Sequence, residues 1–448
     1  MLYMDIEICT VSGYNEVGRN MTAVRIEDEV ILLDMGVFLP AIIDLEESIE
    51  AGEKKLSTDD LIKIKAIPDD TVIKDWKNMV KAIVIGHCHL DHTASIPYLA
   101  PKYKAPIIGT PYTIEIIKSL LRDEDIKIPN QLKTVNPNSM IKISENIKVE
   151  LINVTHSTLQ SAIIAIHTKK GVILYVNDFK LDDHPIIGDK TNFKRLKELS
   201  KEGVLCMIVE CLYANRDMKT PSEKVAREML KDVMVGVKNE NNAIFVTTFA
   251  SHVARIKSII DFADRLNRKV FFLGRSMAKY LRAAENLKLA KLSNYGKICG
   301  FTGQVAKALR EVEKNKGKYV VVCTGSQGEP GSILDKLLSG DLHFSFKDND
   351  NVIFSCITIP AEQNIANRKR LEEKLKSNKV RIFKDIHVSG HASSEDLRDF
   401  ITMVNPKNII PSHGDASMSS SLVELAEEIG YKTGENVFAM RNGQKIKL

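Results

Sequence analysis

The sequence predicts an α/β protein built as two domains, and three observations predict it. The chain has 448 residues, more than one hydrophobic core usually serves. Over residues 1–35 strand-like patches alternate with turns, the opening of a β-meander. From about residue 201 buried apolar runs alternate with amphipathic stretches, the rhythm of a parallel sheet flanked by helices.

In order, MDIEICTV, MTAVRI and EDEVILLDMG read as strands, the last ending in an acid and a glycine. Residues 38–77 are charged and less regular and read as an insertion with short helices. AIVI, APIIGT, IKVELINVTH, SAIIAIHT and GVILYVND follow as strands, and TIEIIKSLLRDED reads as a helix. The β-α block then runs through VLCMIVE, AIFVTTF, VFFLG, YVVVCTG and NVIFSCIT, with helices such as SHVARIKSIIDFADRLN between them. VRIFKDIHVSG, EDLRDFITMVNP, NIIPSHGD, a final helix and two short strands close the chain. The expected division is 1–200, 201–372 inserted into it, and 373–448 returning to the first domain.

Composition narrows the function classes. Lysine and arginine total 63 against 58 acids, a net charge of +5 that leans toward a polyanionic partner without a basic tail. The seven cysteines show no paired spacing, so reduced thiols and a cytoplasmic location are expected. No signal peptide and no run of membrane-spanning length is seen, which predicts no membrane partner.

The stretch GHCHLDHTAS, residues 86–95, holds three of the chain's 11 histidines. His87 and His89 are two apart, so an extended backbone points both to one side, while Cys88 points away into packing. Asp91 and His92 follow where the chain turns into a helix. A solvated loop is the plain alternative, but H-x-H-x-D-H is dense in metal-ligand chemistry. Further ligands stand where strands end: His156, Asp178, His413 and Asp34. These suffice for two metal ions, with His87, His89 and His156 on one, Asp91, His92 and His413 on the other, and Asp178 bridging. Asp34 fits better behind a ligand imidazole. Two such ions about 3.5–4 Å apart can activate a shared water and clamp a phosphodiester. His167, His184, His252, His343 and His387 lack motif context and are expected to pack or face solvent. Gly325, Ser326, Gln327 and Gly328 follow the strand YVVVCTG and can form an anion-binding nest, although an ordinary tight turn has the same pattern. Arg275 and Ser276 follow VFFLG near a helix start and can grip a phosphate.

The ordered set DMG, H-x-H-x-D-H, a later His, a later Asp and a final S-H-G resembles the metallo-β-lactamase superfamily. With an interposed α/β block it resembles the β-CASP branch, and YNEVGRNM, FLGRSM, CTGSQGEP, VSGHAS and PSHGD are similar to ribonuclease J in a short form. The resemblance covers essentially the whole chain. It implies a metallo-β-lactamase αββα sandwich with an inserted β-CASP parallel-sheet domain, and a zinc-dependent ribonuclease with two Zn2+ per chain. It also implies single-stranded RNA with a 5′-monophosphate end as partner, and a homodimer. It places the inserted domain's motif acid on Glu210, the catalytic histidine on His391 and the last metal ligand on His413, and Asp91 joins His391 and Glu210 as catalytic residues. Ala392 and Ser393, in VSGHAS, join the RNA-binding set. Four departures stand out: Glu210 where Asp is usual, VNDFK for T-G-D-F, HSTLQS for H-S-I-P-x-S, and TIPAEQN for I-P-G-N-E.

The activity expected is mainly 5′-to-3′ exonucleolysis in RNA decay or maturation. The nearest rival is an endonuclease of the cleavage-and-polyadenylation type, disfavoured because no RNA-binding extension precedes the metal motifs. A small-molecule thioester or lactam hydrolase needs no inserted block of this size. A metal-free RNA-binding scaffold would not keep a complete ligand set.

Overall fold

The computed structural model describes residues 5–50, 56–239, 241–359 and 361–448. Among them the strands form three sheets. The first has seven strands in the order Gln444–Lys447, Ile6–Ser12, Met21–Ile26, Glu29–Leu33, Val80–Ile85, Ile107–Gly109 and Leu132–Thr134. The second has six: Ile409–Ser412, Val204–Glu210, Gly171–Val176, Ala162–Thr168, Lys148–Asn153 and Ser139–Lys142. Their facing sides close on one apolar layer, in which Ile8, Val24, Ile31 and Val84 meet Ile164, Ile173, Ile208 and Ile410. The outer face of the first sheet is covered by Trp76, Ile114 and Ile117, and that of the second by Leu196, Leu199, Phe400 and Leu422. This is an αββα sandwich.

The third sheet runs Gly296–Cys299, Lys269–Leu273, Tyr319–Cys323, Ile244–Thr247, Asn351–Phe354 and Arg381–Phe383, with every recorded pair parallel. Helices cover both faces, so its strands are continuous apolar runs, as burial on two sides demands. It docks on the sandwich through the helix Pro111–Asp123, where the Tyr112 hydroxyl donates to the Tyr280 carbonyl at 3.1 Å. Cys88 is buried in this junction, as packing requires.

The strand boundaries differ from expectation at two places. VLCMIVE, expected to open the inserted block, lies in the second sheet, parallel to both Gly171–Val176 and Ile409–Ser412. Cys206 and Ile208 face the inter-sheet core, while Met207 and Val209 face the helices. A strand buried on both sides has the same apolar signature in either domain, and pairing alone separates them. VRIFKD, expected beyond the insert, instead contributes Arg381–Phe383 to the edge of the third sheet. After the last helix, Ala416–Glu428, one strand forms rather than two, and Val437 makes only isolated bridges. Short helices do occupy the irregular stretch, at Leu39–Glu50 and Thr58–Lys63, with a 3-10 helix at Asp70–Met79; residues 51–55 of it lie outside the described ones.

Candidate active site

The titratable residues singled out by sequence collect along one rim of the sandwich, at the C-terminal ends of its strands. Asp34 follows Glu29–Leu33, and His87 and His89 follow Val80–Ile85. His156 and Asp178 come just after Lys148–Asn153 and Gly171–Val176; Glu210 ends its strand, and His413 follows Ile409–Ser412. His92 sits in the turn of helix Leu90–Thr93. Two of these positions hold left-handed backbone that is costly for non-glycine residues, Asp34 at φ 59° and His413 at φ 54°.

The side chains form three donor groups, each with its ligand atoms within 4.8 Å of one another: His87, His89, His156 and Asp178; Asp91, His92, Asp178 and His413; and Asp178, Glu210 and His391. Nδ1 of His89 lies 3.1 Å from Nε2 of both His87 and His156. Asp178 reaches Nε2 of His87 at 3.3 Å, of His92 at 3.3 Å and of His413 at 3.5 Å. Asp91 stands 3.6 Å from His92 Nε2 and 3.8 Å from His413 Nε2.

The electrostatics suit a divalent cation. Burial pushes His87 down to about 4 and His156 well below its ordinary value, so both imidazoles are neutral donors. Burial disfavours charge on His92 as well, but Asp178, Asp91 and Asp34 raise it strongly, so that point calls for positive charge. Burial also opposes charge on Asp178, yet the surrounding imidazoles hold it ionised well below the usual carboxylate range. Its buried Oδ1 has no hydrogen-bond partner. Lone pairs converging around such an oxygen are the donor chemistry of zinc.

Outer contacts orient the donor side chains. His92 Nδ1–H donates to Asp34 at 2.7 Å, and Asp34 also accepts from the Gly86 amide at 3.0 Å and from Asn177 at 3.2 Å. Asn177 is the departure in VNDFK, and it joins this support. A Cβ on Gly86 would fall 1.9 Å from the Asn177 amide nitrogen, so the two residues fit together. His156 Nδ1–H donates to the Gly390 carbonyl at 2.7 Å. The Asn20 side-chain oxygen lies 3.1 Å from His413 Nδ1, and its amide nitrogen lies 3.1 Å from His92 Nε2. His89 Nε2 lies 3.0 Å from the Ser251 hydroxyl. Asn20 and Ser251 were not anticipated as site residues. Asn20 belongs to the quoted turn YNEVGRNM, which was its one available signal.

His391 stands beside the donor groups. Its Nδ1 is 2.6 Å from Glu210 and its Nε2 is 3.9 Å from Asp178. Burial would lower His391, but Glu210 and Asp178 raise it to about 9; burial pushes Glu210 up to about 7 against the pull of His391. Glu210 also accepts from the Phe179 amide at 2.8 Å, which ties the pair to the Asp178 loop.

The phosphate candidates lie in the third-sheet domain. Gly274 precedes Arg275 and packs against Thr324, so the FLGRSM and CTGSQGEP turns are neighbours. Arg275 and Ser276 are exposed at the start of helix Arg275–Asn286, whereas Ser326 and Gln327 are buried. The Gln327 amide donates to the Glu329 carboxylate at 3.1 Å. Ala392 and Ser393 have their side chains engaged within the protein. Ala392 packs in the core, and Ser393 caps helix Ser394–Val404 while its hydroxyl pairs with that of Thr220 at 2.9 Å. His252 is buried too and faces Glu223 at 3.4 Å, while His387 is half-buried.

An αββα sandwich with a histidine- and aspartate-rich rim, interrupted by a parallel α/β domain, defines a metal-dependent hydrolase of the metallo-β-lactamase superfamily with a β-CASP insertion. Residues 14–205 match the metallo-beta-lactamase superfamily, 241–371 the ribonuclease J beta-CASP domain, and 379–440 the Zn-dependent metallo-hydrolase RNA specificity domain. The chain is 43% identical over 447 residues to ribonuclease J of Methanocaldococcus jannaschii, covering 99% of each. It is 42% identical over 445 residues to ribonuclease J of Pyrococcus abyssi, covering 99% of this chain and 97% of that one. A solved structure of a protein of unknown function from Enterococcus faecalis shares the fold, at TM-score 0.67 and 19% identity over 99% of this chain and 100% of that one. This chain belongs to the ribonuclease J family.

Proposed function

We propose that the chain is a zinc-dependent ribonuclease with two zinc positions, working mainly as a 5′-to-3′ exonuclease on single-stranded RNA with a 5′-monophosphate. The observation that carries the hydrolytic reading is His391, held by Glu210 at 2.6 Å with its other nitrogen 3.9 Å from the shared ligand Asp178. Its raised proton affinity makes it a donor at neutral pH, positioned to protonate the leaving 3′ oxygen. Residues His87, His89 and His156 would hold one zinc and Asp91, His92 and His413 the other, with Asp178 between them. Zinc there would supply a nucleophile from water near neutral pH and neutralise charge developing on the phosphoryl oxygens. Asp34, Asn20 and Gly390 keep the imidazoles turned toward that point.

The direction of attack rests on the third-sheet domain. The Gln327 amide already binds a carboxylate oxygen, that of Glu329, so this turn suits an anion. A terminal phosphate taking that place beside Arg275 would fix the distance from the 5′ end to the scissile bond. A homodimer and a cytoplasmic location complete the reading; the seven cysteines are all free and buried, which suits a reducing compartment. Among the described residues no helix is long and apolar enough to cross a membrane.

End-labelled RNAs bearing a 5′-monophosphate or 5′-triphosphate test direction. The monophosphate should decay faster, releasing mononucleotides from the first time points. Ser326→Glu should slow that decay more than it slows internal cleavage. Equal rates on both ends, with mixed internal products from the start, would instead assign an endonuclease.

A further inference from the structure

Where an outward-facing imidazole nitrogen of the donor cluster has a partner, that partner tells which part of the chain steadies the ring. His92 is steadied by Asp34 and His413 by Asn20, both within the sandwich. His89 differs: its Nε2 lies 3.0 Å from the hydroxyl of Ser251, which belongs to the inserted domain, 162 residues away in the chain. Ser251 sits in the turn between strand Ile244–Thr247 and helix Val253–Arg265. That strand is internal to the third sheet, and ligand-facing loops of parallel sheets lie at this end of the strands. Ser251 is 8% exposed, and its hydroxyl has His89 as its recorded partner.

His89 Nδ1 faces His87 and His156 at 3.1 Å, so a cation held by these three rings would take the lone pair of that nitrogen. The ring proton then sits on Nε2, and Ser251 Oγ accepts it. Without that acceptor the buried side of the ring loses its partner, and the proton can return to Nδ1 and block the donor position.

We propose that Ser251 is a positioning residue that makes the His87–His89–His156 metal position a joint product of both domains. The other position, Asp91–His92–His413, is built by the sandwich alone. By linkage, whatever seats the inserted domain tightens the first ion, and that ion in turn holds the domains together. This inference rests on the two-zinc reading above.

The test is zinc competition against a chromophoric chelator, using the full chain as wild type, Ser251→Ala and Ser251→Thr, with thermal melting of each metal-free protein alongside. Ser251→Ala should weaken one binding step by about 10–100-fold, the usual effect of removing an outer partner. The second step and the metal-free melting temperature should stay at wild-type values. Ser251→Thr, which keeps the hydroxyl, should restore the weakened step. Two unchanged steps in Ser251→Ala would overturn the proposal. So would equal weakening of both steps together with a lower metal-free melting temperature, since that describes a packing role. Wild-type protein taking up a single zinc would defeat the two-zinc reading instead, and the inference would then stand or fall on whether Ser251→Ala loosens that ion.

Discussion

His391 and Asp178 approach each other to 3.9 Å, close enough that His391 could be mistaken for a metal ligand. Its partner argues otherwise. Nδ1 is bound by Glu210, whose carboxylate raises His391 against its burial, so the ring is engaged on that side by an acid. Replacing His391 with Ala should therefore leave zinc content near normal while cutting turnover by roughly two to four orders of magnitude, the range of a proton-transfer group. Zinc analysis beside single-turnover rates checks this. Metal lost in proportion to activity would make His391 a ligand. Glu210, where Asp is usual in the family, fits as the residue that binds the histidine and the Phe179 amide together.

At the scale of elements, the seam between sandwich and insert is ionic and buried. Arg255, on helix Val253–Arg265, is fully buried and grips Glu223, at the head of helix Glu223–Met234, at 2.5 and 2.9 Å. It also reaches the Ser355 and Ile386 carbonyls, each at 3.0 Å. Lys180, Asp182, His252 and His387 surround the pair. Removing one partner of such a pair strands the other, so Glu223→Gln should cost about 3–5 kcal/mol in urea unfolding at neutral pH. Burial would raise the Glu223 carboxyl, yet His252 and Arg255 hold it well below its ordinary 4.5. A lowered folded value means the contribution is complete above about that pH and fades as pH falls beneath it. The gap between wild type and Glu223→Gln should narrow in acid; a constant gap down to strongly acid pH would refute the assignment. Elements like these were only partly legible in sequence. The histidine and aspartate donor cluster was, because its residues follow apolar strands and carry their own chemistry. Ser251 was not, because a serine in a turn gains meaning only when the fold brings it to His89. The strand Val204–Glu210 was misplaced for a similar reason: its neighbours Gly171–Val176 and Ile409–Ser412 come from distant parts of the chain.

For the whole molecule, the donor cluster draws its residues from both sheets of the sandwich: His87, His89 and His92 from the first, His156, Asp178 and His413 from the second. Bound zinc would therefore act as a staple. At a zinc concentration a hundredfold above its dissociation constant, each independent site adds about 2.7 kcal/mol of stability. Stripping zinc with a chelator should lower the melting temperature, and zinc restoration should recover it. An unchanged melting temperature would mean that the ligands do not bridge the sheets energetically.

The pairing of Ile409–Ser412 beside Val204–Glu210 also sets a schedule for biosynthesis. The ribosome delivers residues 14–205 first and the inserted β-CASP residues 241–371 next, and His413 arrives only after both. A nascent chain that has reached residue 371 still lacks His413, as well as the edge strands Arg381–Phe383 and Gln444–Lys447. Metal binding at the Asp91–His92–His413 position would thus come later in synthesis than folding of the inserted domain.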